Sequence, residues 1–232
     1  MNVLITGATK GIGRAVTEEF ASHGAAVAIC ARNGKELDEF AGHLKAVYGI
    51  EVLQKVCDVS NKESVHAFAG HVKKHWEQLN VLINNAGTYL PGRVIDEEEG
   101  ALEHLIKTNL YSAYNLTRAA LPLMLPFKSG HIFNLCSVAS LNAYPDGGSY
   151  SVSKFALLGF SKALREELKP HKIGVTSLIP GAVLTSSWDG VDLPESRFID
   201  VKDVAKLVYD IYSLSSRTVV EDIVIRPMEG DI

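Results

Sequence analysis

Thr6-Gly7-Ala8-Thr9-Lys10-Gly11-Ile12-Gly13 follows the apolar run Val3–Thr6 and leads into the amphipathic stretch Gly13–Ser22. A glycine-rich turn between a strand and a helix lets the backbone bend tightly and come close to a bound group. The helix that follows presents unpaired N–H groups and a partial positive charge at its start. Such a turn suits the pyrophosphate of a dinucleotide. The glycine spacing here is Gly-x-x-x-Gly-x-Gly rather than Gly-x-Gly-x-x-Gly. Any α/β protein can carry a purely structural glycine turn, so the rest of the chain decides its meaning.

Outward from this turn, apolar runs recur at Ala26–Ala31, Glu51–Val56, Val81–Asn84, His131–Cys136, Gly174–Ile179 and Asp222–Arg226. Several are nearly continuous rather than alternating, as in parallel strands covered on both faces. Between them, Glu36–Val47, Lys62–Trp76 and Ser149–Lys169 read as helices, the first two with apolar residues at three- and four-residue spacing. Ser60 with Glu63, Asp96 with Glu99 and, more loosely, Asp200 with Asp203 have the spacing of a capping box. Glu97-Glu98-Glu99 reads as a set of first-turn carboxylates favoured by the helix dipole. The pattern predicts an α/β fold: a Rossmann-like doubly wound parallel sheet of about seven strands with helices on both faces. It predicts a single domain over residues 1–232.

Composition bounds the function. The formal net charge is -4, without a long run of one sign, which argues against nucleic acid as the main partner. No apolar stretch reaches the ~18 residues of a membrane span. Met1-Asn2 leads directly into the first strand, without a signal-peptide pattern, and a cytoplasmic protein is expected. Cys30, Cys57 and Cys136 lie in strand-like apolar runs and read as buried reduced thiols. The eight histidines show no metal-binding spacing, so no metal is expected.

Further motifs follow in order: Asp58-Val59 after the third strand, Asn84-Asn85-Ala86-Gly87 after the fourth, Asn109, Ser137, Tyr150-x-x-x-Lys154 and Pro180-Gly181. With the Thr6–Gly13 turn, this series resembles the short-chain dehydrogenase/reductase family over nearly the whole chain. The resemblance implies that Gly7, Thr9, Lys10, Gly11, Ile12 and Gly13 hold a cofactor pyrophosphate. It places Asp58 and Val59 beside the adenine, and Asn85, Ala86 and Gly87 along the cofactor ribose. Pro180, Gly181, Val183 and Thr185 should border the nicotinamide and pyrophosphate. Asn84 or Asn85 could instead tie neighbouring strands together.

The cofactor expected is NADP(H). An acidic residue ending the second strand would bond the 2′-hydroxyl of NAD, but Ala31-Arg32-Asn33 stands there. Arg32 can pair with a 2′-phosphate through its guanidinium fork, and Lys10 can add a second positive charge.

Tyr150 and Lys154, four residues apart in a helix, share one face. A free tyrosine has a pKa near ~10 and is a poor base at neutral pH; a nearby ammonium stabilises a phenolate. Tyr150 would then protonate a carbonyl oxygen or deprotonate an alcohol. Ser137, just beyond the fifth strand, could donate to the same oxygen. By the resemblance, Asn109 holds a water linking Lys154 to solvent, and Lys154 also binds the nicotinamide ribose. A Tyr-x-x-x-Lys pair in isolation is usually a helix surface; the four residues in family order point to an enzyme.

The expected reaction is NADPH-dependent reduction of a carbonyl to an alcohol. Tyr89, Leu141, Tyr144 and Trp188 fall in loops after strands and suggest a substrate with an apolar or flat body. The chain's ending, with Ala182-Val183-Leu184-Thr185 and Trp188, is similar to that of bacterial sepiapterin-reductase-like members. A 3-oxoacyl thioester reductase is the alternative enzyme, and a non-catalytic NADP(H)-binding sensor the alternative class. By the resemblance, the stretches Asn109–Leu125 and Ser149–Leu168 pack between subunits in a homodimer or homotetramer.

Overall fold

A computed structural model describes residues 1–232. Its strands are β1 (Asn2–Thr6), β2 (Ala26–Ala31), β3 (Val52–Val56), β4 (Val81–Asn84), β5 (Gly130–Leu135), β6 (Ile173–Pro180) and β7 (Asp222–Ile225). They form one seven-stranded sheet in the order β3-β2-β1-β4-β5-β6-β7, with every pair parallel. The order reverses between β1 and β4, and ligands of such sheets gather beyond the strands' carboxyl ends at that crevice. The helices are α1 (Gly11–Ser22), α2 (Gly34–Tyr48), α3 (Lys62–His75), α4 (Ala101–Leu105), α5 (Ser112–Ala120), α6 (Gly148–Leu168) and α7 (Val201–Tyr212). The expected doubly wound fold is present, with helices on both faces.

Side chains alternate across each strand, which splits the core in two. Val3 and Ile5 of β1, with Val27 and Ile29 of β2, meet Phe20, Leu37, Phe40, Val204 and Val208 from α1, α2 and α7. Leu4 and Leu82 point the other way, onto Phe68 and Val72 of α3, Leu116 of α5 and Leu164 of α6. Burial on both faces explains why these strands read as unbroken apolar runs. Each fully buried Leu, Ile or Phe contributes roughly 1.5–3 kcal/mol.

Two of the expected helix starts differ. Asn61 caps α3, accepting from Ser64 N at 2.7 Å. Ser60 instead closes a turn on Asp58, donating its N–H at 2.9 Å and its hydroxyl at 2.7 Å. Asparagine caps as well as serine and stands next to the first helical residue. Asp96 and Glu99 start no helix. Gly100, at φ 88°, precedes Ala101 instead, Asp96 pairs with Arg93, and Glu97 is drawn away to Ser149. Asp200 caps α7 as expected, accepting from Lys202 N at 2.8 Å. The three cysteines are buried and free; Cys57 and Cys136 sit one residue past β3 and β5 rather than inside them. No helix is long and apolar enough to cross a membrane.

Candidate active site

The glycine turn leaves β1 with Gly7 at φ 64° and Gly11 at φ 52°, left-handed values that favour glycine. Gly13 is needed for a different reason: a Cβ there would lie 2.2 Å from Gly7 O and 2.4 Å from Asn85 Nδ2. The turn is laced to the end of β4. Asn85 Nδ2 donates to Thr6 O at 2.9 Å and Gly7 O at 3.1 Å, while Thr6 Oγ1 accepts from Asn85 N at 3.1 Å and Ala86 N at 3.0 Å. Asn84 plays the strand-tying part, donating to Asn134 Oδ1 at 2.8 Å and Thr117 Oγ1 at 3.0 Å. Lys10 is the N-cap of α1 without a side-chain cap bond, and the first helical bond runs from Arg14 N to Lys10 O. The amides of Gly11, Ile12 and Gly13 precede that bond and have no main-chain partner. Thr185 closes over the turn, its Cγ2 lying 3.1 Å from where a Gly11 Cβ would be. A diphosphate fits such a cradle.

At the far end of β2, Arg32 is exposed and forms no ion pair. Lys10 is less free than expected: Nζ stands 3.0 Å from Glu36 Oε1, so a carboxylate from the start of α2 does reach this corner. Asn33 fixes that carboxylate, donating to Oε1 at 2.9 Å and accepting from Glu36 N at 3.2 Å. Asp58 is taken up by its bonds from Ser60, which, helped by the Arg32 charge, hold its carboxyl below the usual range. Its neighbour Val59 packs against the core. Of the two expected cations, Arg32 is the one that forms no close ion pair, with Asp58 the carboxylate that feels its charge.

Further along the crevice, four of the motif residues converge. Lys154 is 5% exposed and donates from Nζ to Leu135 O at 2.8 Å, with Nζ 5.8 Å from the Tyr150 ring centroid. Gly87 leaves space in front: a Cβ there would stand 3.2 Å from Asn109 Oδ1 and 3.6 Å from Lys154 Nζ. Asn109 lies in a π-helical turn, Ile106–Tyr111, that interrupts the helix between α4 and α5. Such single-turn insertions are frequent at functional sites. The Asn109 side chain accepts from Thr88 N at 2.8 Å and donates to Thr88 O at 3.0 Å and Ser153 Oγ at 2.9 Å. Both its donors are used, so only an Oδ1 lone pair remains for a water.

Ser137 caps a short 3-10 turn, Val138–Ser140, by accepting from Ala139 N at 3.1 Å. The cap uses its oxygen as acceptor and leaves the hydroxyl proton to donate elsewhere. Cys136 is beside it, its thiol pushed up to about 11 by burial.

The expected substrate residues scatter. Tyr89 stands edge-on to Tyr150, ring centroids 4.9 Å apart at 85°. Burial, then the neighbouring Tyr150 and Asp146, raise the Tyr89 phenol above its ordinary value. Tyr144 is tied by its hydroxyl to Asp231 Oδ2 at 3.2 Å, and Leu141 is exposed. Trp188 packs on Phe198 at 5.3 Å rather than against Tyr150. Val183 is committed to the core by its side chain, and Gly181 lies close to Asp231, whose Oδ1 would be 3.1 Å from an added Cβ. Asp231, which also pairs with Arg226, is marked by no local pattern in the sequence. A cavity of about 560 Å³ bordered by Tyr144, Val152 and Phe155 lacks Tyr150.

The sequence profile of the family described as short chain dehydrogenase matches residues 1–195. The chain is 33% identical to a sepiapterin reductase of Chlorobaculum tepidum, covering 99% of this chain and 97% of that protein. It is 31% identical to the 3-oxoacyl-[acyl-carrier-protein] reductase FabG of Haemophilus influenzae, covering 88% and 87%. Among solved structures, an alcohol dehydrogenase from the archaeon Thermococcus sibiricus, complexed with 5-hydroxy-NADP, superposes with a TM-score of 0.93 at 27% identity, covering 100% and 98%. A family match over most of the length, on a parallel sheet with a glycine turn at its switch point, makes this chain a member of the short-chain dehydrogenase family of oxidoreductases.

Proposed function

We propose that the chain reduces a carbonyl to an alcohol with NADPH, with residues 1–232 acting as one cofactor-binding domain. The observation that carries this is the meeting of Lys154, Gly87 and Asn109 beside Tyr150, at the open end of a cradle that fits a dinucleotide. The fit rests on the turn that a glycine at position 13 lets close on Gly7 and Asn85, on the unpartnered amides of Gly11–Gly13 and on the unpaired guanidinium of Arg32. Gly7, Thr9, Ile12 and Asn85–Gly87 would line the rest of it, with Asp58, Val59, Pro180, Gly181, Val183 and Thr185 at its borders. NADP on the Thermococcus relative supports the same choice.

NADPH held in that cradle would supply the hydride for the carbonyl carbon. Tyr150 donates a proton to the carbonyl oxygen, and Ser137 donates a hydrogen bond that orients it. Lys154 holds positive charge beside the phenol and stabilises the phenolate left behind. Asn109 fixes Thr88 and Ser153 around the lysine and can offer Oδ1 to a water that returns the proton.

The substrate we infer is a small flat or apolar ketone of the sepiapterin kind, supported by Tyr89 against Tyr150 and by the Chlorobaculum relative. A 3-oxoacyl thioester is the second reading, supported by the Haemophilus relative. Oxidation of NADPH against sepiapterin, a 1,2-diketone and an acetoacetyl thioester tests both. Absence of turnover with tight NADPH binding would favour a cofactor-binding sensor. We also propose a homodimer or homotetramer, because Tyr111, Tyr114, Val152 and Phe155 leave large exposed apolar surface beside α5 and along α6. Sedimentation showing only monomer would reject it.

A further inference from the structure

The helix that carries Tyr150 and Lys154 begins without a cap of its own. Gly147 is its N-cap, no side chain on it makes a cap bond, and its first turn holds no acidic residue. The first three amides of a helix need partners from elsewhere. Two of them find partners in a single segment that follows β4. Gly148 N donates to Gly92 O at 2.9 Å, and Ser149 N donates to Glu97 Oε2 at 3.3 Å. Ser149, 3% exposed, also donates its hydroxyl to Glu97 Oε1. The approach is close enough to select glycine: a Cβ on Gly148 would lie 2.7 Å from Gly92 O.

The same segment carries Tyr89, whose edge meets the Tyr150 ring. Its start is held at Thr88 by Asn109, its middle by Gly92 N to Asp146 O at 2.8 Å, and its end by Glu97. The carboxylate thus fastens the Tyr89 segment to the residue immediately before Tyr150.

We propose that Glu97 is a positioning residue for carbonyl reduction: it caps α6 from outside and so fixes Tyr150 and Tyr89 relative to each other. This inference rests on the reductase reading for its effect on turnover, but the cap itself does not. Displacement of a reacting group by about 1 Å costs on the order of a hundredfold in rate. Loss of the cap is therefore felt at the proton-donating step far more than at the distant glycine turn.

The test compares Glu97→Ala and Glu97→Gln with the parent. Gln retains an oxygen that accepts from Ser149, whereas Ala retains nothing. Glu97→Ala should lower kcat by about ten- to a hundredfold, with the dissociation constant for NADPH within about twofold of the parent. Glu97→Gln should recover most of that kcat. In the protein without cofactor, amide hydrogen exchange over Gly148–Ser151 should speed up about tenfold or more in Glu97→Ala and not in Glu97→Gln, with exchange in β1 unchanged. Unchanged local exchange in Glu97→Ala would overturn the proposal. So would parental kcat, or a fall in NADPH affinity and global stability that matches the fall in kcat. A parent that reduces no carbonyl would defeat the reductase reading instead, and the exchange comparison would still decide the cap.

Discussion

Lys154 and Leu135 are joined by a hydrogen bond of 2.8 Å from Nζ to the main-chain oxygen, which roots a buried ammonium at the carboxyl end of β5. The bond gives the lysine two dependants: the carbonyl it satisfies and the Tyr150 phenol it faces. Substitutions at the two motif residues should therefore separate. Lys154→Met strands a buried carbonyl and should cost about 1–3 kcal/mol of stability as well as turnover. Tyr150→Phe keeps the ring against Tyr89, so stability should stay within about 0.5 kcal/mol. Turnover of Tyr150→Phe should fall by roughly 10²–10⁴ while NADPH binding holds, since only the proton donor is gone. Denaturant midpoints and steady-state rates check both; equal turnover in Tyr150→Phe and parent would reject the mechanism.

Arg32 forms no close ion pair, whereas Lys10 is paired with Glu36 at 3.0 Å. The unpaired guanidinium should carry most of the preference for a 2′-phosphate. Arg32→Ala should weaken NADPH by roughly 10- to 100-fold, the worth of a charged hydrogen bond, and NADH by much less. Lys10→Ala should have the smaller effect, because Glu36 already shares that charge. Binding titrations with both nucleotides decide the point; equal weakening of the two by Arg32→Ala would remove the phosphate role.

The sheet was legible because strands buried on both faces leave unbroken apolar runs, and all seven expected runs form strands with ends shifted by at most one residue. The glycine turn and the Tyr150–Lys154 pair were legible because each is a local spacing. Glu97 was not. Within Glu97-Glu98-Glu99 it looks like a dipole-favoured first turn, and only tertiary contact takes it to Ser149, 52 residues away. Glu36 reaching Lys10 and Asp231 reaching Tyr144 escaped for the same reason: side-chain partners far apart in sequence leave no periodicity to read. Trp188 was expected near the reacting groups on residue type, but packing on Phe198 takes its ring instead.

Two glycines should respond to alanine with opposite signs. At Gly13 an added Cβ would meet Gly7 O at 2.2 Å, within the turn, and Asn85 Nδ2 at 2.4 Å, hydrogen-bonded to it. Gly13→Ala should cost about 1–3 kcal/mol through overpacking and abolish tight NADPH binding. Gly42, exposed within α2, has nothing within 4 Å of that position. Gly42→Ala should raise stability by up to about 1 kcal/mol through helix propensity and leave NADPH binding unchanged. Thermal melts and nucleotide titrations check both.

His131 gives the protein a pH-dependent stability remote from the crevice. Its Nε2 stands 2.7 Å from Thr176 Oγ1, and that hydroxyl donates to Val220 O at 2.5 Å. With its proton committed, Thr176 can only accept, so Nε2 carries the proton of a neutral ring. Burial first, and then the Arg165 charge, lower the imidazole to about 4 from the ordinary 6.5. Between those values the unfolded chain binds the proton and the folded protein does not, so stability rises with pH across that window. The contribution is full above about pH 6.5, declines as pH falls, and is lost by about pH 4, a total on the order of 3 kcal/mol. His131→Gln cannot titrate. Its deficit against the parent in urea unfolding should therefore shrink by at least about 1 kcal/mol between pH 7 and pH 4.5. A deficit that is the same at both pH values would mean that the buried ring does not resist protonation.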